Sequence, residues 1–227
     1  MDLSGQTKPL SVIYLHGFAS GPGSTKAQFF KAKFEQSGAD VFLPDLNVPT
    51  FEQMTLSAQI ETVKYVAAEI AQDREIILMG SSLGGLLATI ASEKLSQYRI
   101  TKLILLAPAF GIKARWRDLI GQEAMNKWKE TGVRSYFHYG AGIELNLAYT
   151  FIEDLEVIET ENLKVNVPTL IFHGINDASV PVDLSRKFSL SNGQWVQLNE
   201  LDDGHELIES MQTIWQDVER FLHAVAY

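Results

Sequence analysis

Short apolar segments alternate with amphipathic ones along this chain, and this alternation restricts the possible folds more than any other feature of the sequence. Six segments have the length and composition of buried β-strands, at residues 10–15, 41–43, 75–79, 102–106, 168–173 and 194–198. Helical patterns separate most of them. Continuous apolar strands connected by helices are typical of a mostly parallel sheet with helices on both faces. The order of the segments therefore predicts an α/β fold.

The amphipathic segments have the spacing of helices that pack against such a sheet. In the first of them, Ala27, Phe30 and Phe34 follow one another at helical intervals. The clearest pattern lies in the C-terminal part of the chain, where one face carries Leu207, Ile208, Met211, Ile214, Trp215, Val218, Phe221, Leu222 and Val225. The sequence therefore predicts a long final helix that includes these residues.

The size and composition of the chain indicate one ordinary globular domain. A chain of 227 residues can form a substantial core but is short for two domains. Its formal net charge of −9 disfavours nucleic acid and anionic membranes as partners. The chain has no cysteine, which excludes disulfides, thiolate metal ligands and a cysteine nucleophile. Since the N-terminal residues also lack a signal-peptide pattern, we expect a single soluble, cytoplasmic domain over residues 1–227, without stable membrane insertion.

One long segment interrupts the alternation of strands and helices. Residues 107–167 contain no convincing strand but are rich in aromatic side chains. A loop of that length without secondary structure is uncommon in a compact domain. We therefore expect helices here, in an insertion that covers residues 111–163.

The stretch GSSLGG at residues 80–85 contains the pattern Gly-x-Ser-x-Gly, with Ser82 at its centre between Gly80 and Gly84. It follows a predicted strand and begins a predicted helix. A sharp turn at such a junction lifts a serine hydroxyl above the sheet, and the flanking glycines relieve crowding. Ser82 is therefore a candidate nucleophile, whereas Ser81 lies off the centre of the pattern. A purely structural turn is the alternative, because it would use the same glycines.

A serine nucleophile needs a base that accepts its proton, and a neutral imidazole is well suited to this task. Among the five histidines, His205 follows the last predicted strand and therefore lies at the same sheet edge as Ser82. His173 ends a strand, where packing or support of another side chain is expected. His138 lies in the insertion, and His223 lies on the final helix, where a surface position is expected. His205 is the candidate base.

The imidazole in turn needs a carboxylate that fixes its tautomer and stabilises its charged form. Asp177 lies shortly after the fifth predicted strand, again at this edge of the sheet. The chain order Ser82, Asp177, His205 is the order in which a parallel α/β sheet carries a serine triad. Asp202 and Asp203 are rival candidates for the acid, although two adjacent acids so near His205 in sequence are more typical of a solvated turn.

Together these features resemble the α/β-hydrolase superfamily, of the small carboxylesterase type. The resemblance extends over most of the chain and rests on HGF at 16–18, GSSLGG at 80–85, HG at 173–174 with Asp177, and Gly204 with His205. It implies a serine hydrolase that cleaves small-molecule carboxylic esters of small to medium acyl chain through an acyl-enzyme. Ser82, Asp177 and His205 would be its catalytic residues, and neither a cofactor nor a metal would be needed.

The resemblance also implies an oxyanion hole, in which preorganised N–H groups bind the oxygen that becomes negative in the transition state. The backbone N–H of Leu83, the residue after the nucleophile, would be one donor. The second donor would come from Phe18 or, alternatively, from Ala19. The sequence has HGF at this position, where many lipases have a longer run of glycines.

In this superfamily an insertion at the position of residues 111–163 commonly forms a cap over the active site. Its aromatic residues, among them Trp116 and Tyr139, would then line the substrate pocket or, alternatively, form a small core within the cap. The insertion also has a net positive charge between residues 113 and 134, from Lys113, Arg115, Arg117, Lys127, Lys129 and Arg134. Solvated helix faces explain such charges most often, and a lip that attracts an anionic substrate is the alternative.

Other interpretations use parts of the same sequence. The stretch GPGSTK at residues 21–26 precedes a helix, as phosphate-binding loops do, but it matches neither the Walker pattern nor the dinucleotide pattern. His205 and Glu209 lie one helical turn apart but lack the second histidine of a zinc protease. Thioesterases and acyltransferases use the same triad, and the same fold can serve a non-catalytic ligand-binding protein. The substrate and the oligomeric state stay open.

Overall fold

The computed structural model describes residues 10–223, and within them it contains eight strands. These are β1 (Leu10–Leu15), β2 (Asp40–Phe42), β3 (Glu75–Ser81), β4 (Ile100–Leu106), β5 (Val133–His138), β6 (Ile143–Ala148), β7 (Thr169–Gly174) and β8 (Val196–Leu201). Six of them form one parallel sheet in the order β2-β1-β3-β4-β7-β8. The predicted parallel α/β sheet is confirmed, and each of its six strands corresponds to a predicted apolar segment.

Helices cover both faces of this sheet, and two more lie in the insertion between β4 and β7. The α-helices are α1 (Thr25–Gln36), α2 (Leu56–Glu69), α3 (Leu83–Lys94), α4 (Ile112–Thr131), α5 (Thr150–Val157), α6 (Val182–Asn192) and α7 (Met211–His223). Helices α1 and α7 pack on one face, whereas α2 and α3 pack on the other. Side-chain oxygens fix two of the helix starts, because Ser24 accepts from the N–H of Ala27 and Thr55 accepts from the N–H of Ala58.

The strands are apolar without interruption because successive side chains enter two different cores. In β1, Val12 and Tyr14 point into the core beneath α1 and α7, while Ile13 and Leu15 point into the core beneath α2 and α3. A strand that is buried on both faces therefore lacks the polar alternation of a surface strand.

The strand order creates a crevice at the carboxyl ends of β1 and β3. The chain passes from β1 to β2 on one side and then crosses to β3 on the other side of β1. The loops after β1 and β3 therefore diverge, and ligands of open α/β sheets bind at such a point. The HGF and GSSLGG motifs both lie at this crevice.

The insertion between β4 and β7 differs in part from its prediction. It contains the expected helices, α4 and α5, but between them β5 and β6 pair as an antiparallel hairpin. Exposed Val133, Ser135 and Phe137 alternate in β5 with more buried Arg134, Tyr136 and His138. Such a mixed strand is not a continuous apolar segment, so the apolar pattern of the sequence does not indicate it.

The final helix begins later than predicted. It begins at Met211, so that Leu207 and Ile208 lie in the preceding loop, and Val225 lies outside the described residues. Leu207 is nevertheless buried, with a positive φ of 53°. No helix within residues 10–223 combines the length and the apolar character that crossing a bilayer requires.

Candidate active site

Ser82 occupies a sharp turn between β3 and α3. Its backbone has φ 53° and ψ −116°, a conformation that non-glycine residues rarely adopt. The turn is held in place because the N–H of Ser82 donates to the carbonyl oxygen of Leu106, at 2.8 Å. The Ser82 side chain is half-buried at the carboxyl edge of the sheet.

The two glycines of the motif allow this turn to pack against the sheet. A Cβ atom on Gly80 would lie 2.1 Å from the carbonyl oxygen of Gly84, and one on Gly84 would lie 2.0 Å from that of Leu15. Both positions therefore exclude any side chain, since the neighbouring atoms belong to the backbone. This agrees with the role in relieving crowding that the sequence pattern predicts for them.

His205 lies directly beside Ser82. Its Nε2 is 3.0 Å from the Ser82 Oγ, and its Nδ1 is 2.6 Å from Oδ2 of Asp177. Since an ionised carboxylate can only accept hydrogen bonds, Nδ1 carries the proton that is donated to Asp177. The lone pair on Nε2 then faces the Ser82 hydroxyl. The structure thus brings together the three residues that the sequence proposes as nucleophile, base and acid.

The Asp177 carboxylate is completely buried and accepts hydrogen bonds from several directions. Its Oδ1 accepts from the N–H groups of Ser179 and Val180, each at 2.7 Å, while Oδ2 faces His205. Nε2 of the buried His173 lies 3.2 Å from the same Oδ2. Burial by itself raises the pKa of Asp177, but the bonds from His173, His205 and Val180 outweigh it and hold the pKa well below its usual range. The carboxylate is therefore ionised.

His173 supports the acid, in line with the supporting role considered from its sequence position. Its Nε2 lies 2.8 Å from the carbonyl oxygen of Val180, so this nitrogen is a donor. Its Nδ1 lies 2.7 Å from the hydroxyl of Ser185 on α6, which donates to it. These two contacts fix the ring so that the proton on Nε2 points towards both the carbonyl oxygen of Val180 and Oδ2 of Asp177.

The other candidates for the acid contact different groups. Asp203 accepts from the N–H groups of Gly204 and Ser210, and it thereby shapes the loop that carries His205. Asp202 accepts from the side-chain amide of Asn176. Within residues 10–223, neither carboxylate forms a hydrogen bond with His205. His223 is exposed at the end of α7, as its position on the final helix predicts.

The loop after β1 packs against the nucleophile turn. A Cβ atom on Gly17 would lie 3.3 Å from the carbonyl oxygen of Ser81 and 3.4 Å from Cβ of Ser82. The next residue, Phe18, has its ring 5.1 Å from both the Trp116 and Tyr136 rings of the insertion. The backbone of this loop at Gly17 therefore lies beside Ser82, and the Phe18 side chain packs among aromatic rings.

The β5–β6 hairpin is bonded to this same loop. The N–H of Tyr139 donates to the carbonyl oxygen of Ala19, at 2.8 Å, and Ala19 has a positive φ of 53°. Asn47 provides a second connection, because its side-chain amide donates to the carbonyl oxygen of Ser20 and its Oδ1 lies 3.3 Å from Nε2 of His138. Burial lowers the pKa of His138, which favours the neutral ring in this contact.

A cavity of about 1180 Å³ lies between the sheet edge and the insertion. Ser82 and His205 line it, together with the backbone region of residues 17–20. Trp116 and Tyr139 line it as well, but their surroundings differ. Trp116 donates its indole N–H to the Tyr136 hydroxyl at 3.0 Å and contacts Phe151, whereas Tyr139 is 77% exposed. Trp116 thus belongs both to the cavity wall and to the small core of the insertion.

The GPGSTK stretch forms another part of the cavity wall, where the helix α1 begins. Lys26 is buried there, and its Nζ donates to Oε2 of Glu206 at 2.9 Å. This ion pair joins α1 to the residue that follows His205. The sequence did not point to this contact, because the two residues are 180 positions apart. Within the described part of the chain no group of His, Asp and Glu side chains has the arrangement of a metal site.

The sheet order and the turn that holds Ser82 are those of the α/β-hydrolase fold. More specifically, the chain belongs to the uncharacterised protein family UPF0227, whose model matches residues 11–222.

Several proteins are similar to this chain over most of its length. A Mycoplasma genitalium protein named "Putative esterase/lipase 3" is 24% identical over 230 residues, which cover 90% of this chain and 84% of the relative. Mouse alpha/beta hydrolase domain-containing protein 10 has the same fold, with a TM-score of 0.75 and 19% identity over 93% of this chain and 89% of the mouse chain. Est1E from Butyrivibrio proteoclasticus gives a TM-score of 0.72 with 21% identity, over 95% and 87% of the two chains.

Proposed function

We propose that this protein is a serine hydrolase that cleaves carboxylic esters of small to medium acyl chain through an acyl-enzyme intermediate. The observation that carries the proposal is the continuous hydrogen-bonded path from the Ser82 hydroxyl through His205 to Asp177, at the wall of a large cavity. The esterase/lipase name of the Mycoplasma relative supports the same class of reaction.

The proposed reaction has two halves that use the same three side chains. In the first half, Oγ of Ser82 attacks the ester carbonyl carbon while Nε2 of His205 takes the hydroxyl proton. The imidazolium then gives this proton to the departing alcohol, and an acyl-serine remains. In the second half, His205 deprotonates a water molecule that attacks the acyl-serine, and the proton returns to Ser82. Asp177 stays ionised throughout and stabilises the imidazolium.

The negative oxygen of each tetrahedral intermediate needs donors that are already in position. Leu83 is the first residue of α3, and N–H groups in a first helical turn have no partner within the helix. We assign its N–H as one donor of the oxyanion hole and the N–H of Phe18 as the other. Gly17 packs against Ser81 and Ser82, and the position of Phe18 next to it in the chain supports this assignment. The N–H of Ala19 is the alternative second donor. The hydrogen bond from the hairpin is accepted by the carbonyl oxygen of Ala19 and does not use this N–H.

The insertion, residues 111–163, acts in this proposal as a cap that contacts the part of the substrate remote from the scissile bond. Residues of α4 and β5 line the same cavity as Ser82. A thioesterase or an acyltransferase would use the same triad and would differ in the acyl donor or in the acceptor.

A panel of p-nitrophenyl esters and acyl thioesters of graded chain length tests the proposed function. We expect the purified protein to hydrolyse the esters with saturation kinetics, and to do so faster than the thioesters. Adding an alcohol such as methanol separates hydrolysis from acyl transfer, because an acyltransferase would form the methyl ester in preference to the free acid. A protein that turns over none of these substrates would argue for a non-catalytic ligand-binding role.

Replacing Tyr139 with alanine is expected to change which acyl chains are preferred without changing the stability of the fold. Tyr139 lines the cavity but is mostly exposed, so its ring can contact substrate and contributes little to the core. One methylene in an apolar pocket is worth about 1–3 kcal/mol of discrimination, so kcat/KM should shift for the longer esters. Activity on the acetyl ester should hardly change. The measurements are kcat/KM across the ester series and the melting temperature.

Two further variants make this test specific. Trp116→Ala should lower the melting temperature as well as alter the chain-length profile, because Trp116 also packs against Phe18 and Phe151. Tyr65→Ala removes another exposed tyrosine, one that does not line the cavity, and should change neither quantity. An unaltered ranking of substrates in Tyr139→Ala would contradict a role of the hairpin in substrate selection.

A further inference from the structure

The cavity-facing side of α4 is apolar except for one arginine. Ile112, Trp116, Leu119 and Ile120 line the cavity from this helix, and Arg115 lies among them. Helical spacing places all five residues on one face. Arg115 is half-buried there, and a guanidinium beside apolar side chains is well placed to bind an anion. The position of Arg115 therefore raises the question of which group it pairs with.

The neighbouring basic residues of α4 already have structural partners. Arg117 pairs with the carboxylate of Glu156 on α5, and Nζ of Lys113 donates to the backbone carbonyl oxygen of the same residue. Both cations therefore connect α4 to α5. Within residues 10–223, in contrast, the side chain of Arg115 forms no salt bridge and no hydrogen bond.

The local electrostatics of α4 do not explain an arginine at this position. Arg115 lies in the first turn of the helix, and this first turn contains no acidic residue. A cation near a helix N-terminus interacts unfavourably with the helix dipole. The charge of Arg115 is thus unfavourable for the helix and has no partner among residues 10–223, which is expected where a residue binds a ligand.

The other charged side chains at the cavity, those of Lys26, Glu206 and Asp45, have partners within the protein. Lys26 is committed to Glu206. Asp45, the second carboxylate at the cavity, accepts from the backbone N–H and the side-chain amide of Asn47. Among the described residues that line the cavity, the guanidinium of Arg115 is therefore free to bind an anion.

We propose that Arg115 is a specificity-determining residue that binds an anionic group of the substrate, remote from the scissile bond. This proposal rests on the ester hydrolysis proposed above. The apolar side chains around it would contact the hydrocarbon between that group and the ester. The substrate class is then a carboxylic ester with a carboxylate or a similar anion at the far end of an apolar chain. A guanidinium suits this role because it donates two parallel hydrogen bonds to a carboxylate.

Paired substrates of equal length test the proposal. The charged substrates are mono-p-nitrophenyl esters of glutaric and adipic acid, and their neutral partners are the same esters with the free carboxyl methylated. A second pair, 4-acetoxybenzoate and its methyl ester, carries the charge on the alcohol side. We expect the wild-type protein to prefer the charged member of at least one pair. Arg115→Gln should lower kcat/KM for that member by about 10- to 100-fold, mainly through KM.

Controls separate this effect from loss of the fold or of the chemistry. Arg115→Gln should lower kcat/KM much less for the neutral esters than for the charged ones, since no charge is recognised in the neutral esters. Arg117→Gln, which removes a neighbouring cation with a structural partner, should leave the ratio of charged to neutral rates unchanged. Equal loss for charged and neutral esters, or an unchanged ratio in Arg115→Gln, would overturn the proposal.

A binding measurement keeps this test independent of turnover. Monomethyl glutarate is titrated by calorimetry into Ser82→Ala protein, with and without the additional change Arg115→Gln. We expect binding that the second change weakens by about tenfold or more. Equal binding in both proteins would overturn the role of Arg115. If no ester is hydrolysed but binding depends on Arg115, the proposed hydrolysis fails while the anion site stands.

Discussion

Replacing Ser82 with alanine is expected to abolish ester hydrolysis, with a loss in kcat of about 10⁶-fold and no change in the fold. The substitution removes the oxygen that lies 3.0 Å from Nε2 of His205, so no acyl-serine can form. The positive φ at this position costs about the same free energy for alanine as for serine, and the melting temperature should therefore stay unchanged. The measurements are p-nitrophenyl butyrate hydrolysis and labelling by a fluorophosphonate.

The adjacent serine provides a matched control. Ser81, the last residue of β3, is buried, and its side chain forms no hydrogen bond with His205 or Asp177 in the described structure. Ser81→Ala should therefore retain most of the activity and should still be labelled by the fluorophosphonate. Comparable losses in the two variants, or a label found on Ser81, would show that the nucleophile is misassigned.

Replacing Asp177 with asparagine is expected to lower kcat by about 10⁴-fold and to change substrate affinity much less. Backbone N–H groups of Ser179 and Val180 face one carboxylate oxygen and fix where the amide oxygen must point. The new NH₂ group then faces His205. It is a donor, so Nδ1 of His205 can bind it only when this nitrogen is unprotonated and accepts the hydrogen bond. The proton moves to Nε2, and the ring can no longer accept the proton of Ser82.

The same substitution at a nearby acid is the control for this effect. Asp202 is exposed and accepts a hydrogen bond from Asn176, so Asp202→Asn changes a charge near His205 without touching the ring. We expect it to keep most of the activity. The kcat and KM of both variants, measured on one ester, decide the assignment, and a larger loss in Asp202→Asn would transfer the role of the acid away from Asp177.

The sheet and the candidate triad could be predicted from the sequence because both follow from short-range patterns. Strands that are buried on both faces are apolar without interruption, so β1, β3 and β7 were visible as single segments. In a parallel sheet the loops that follow such strands meet at one edge. Residues placed shortly after separate strands, as Asp177 and His205 are, were therefore expected near Ser82.

Contacts between distant parts of the chain could not be predicted in this way. The β5–β6 hairpin has mixed burial, so neither a continuous apolar segment nor a helical stripe marked it. The bonds of His173 to Asp177 and of Asn47 to Ser20 depend on the exact direction of each side chain. The same holds for Arg115, whose missing partner becomes apparent only when the partners of Arg117 and Lys113 are known.

The bonds between the hairpin and the β1 loop restrict how substrate preference can change in evolution or in the laboratory. A chimera that exchanged residues 111–163 for the corresponding segment of another hydrolase would remove the partner of the Ala19 carbonyl oxygen and the contact of His138 with Asn47. The backbone beside Ser82 would then lose part of its support, although no residue of the triad had been altered. New specificities are therefore more accessible through point substitutions on α4 than through transplantation of the whole segment.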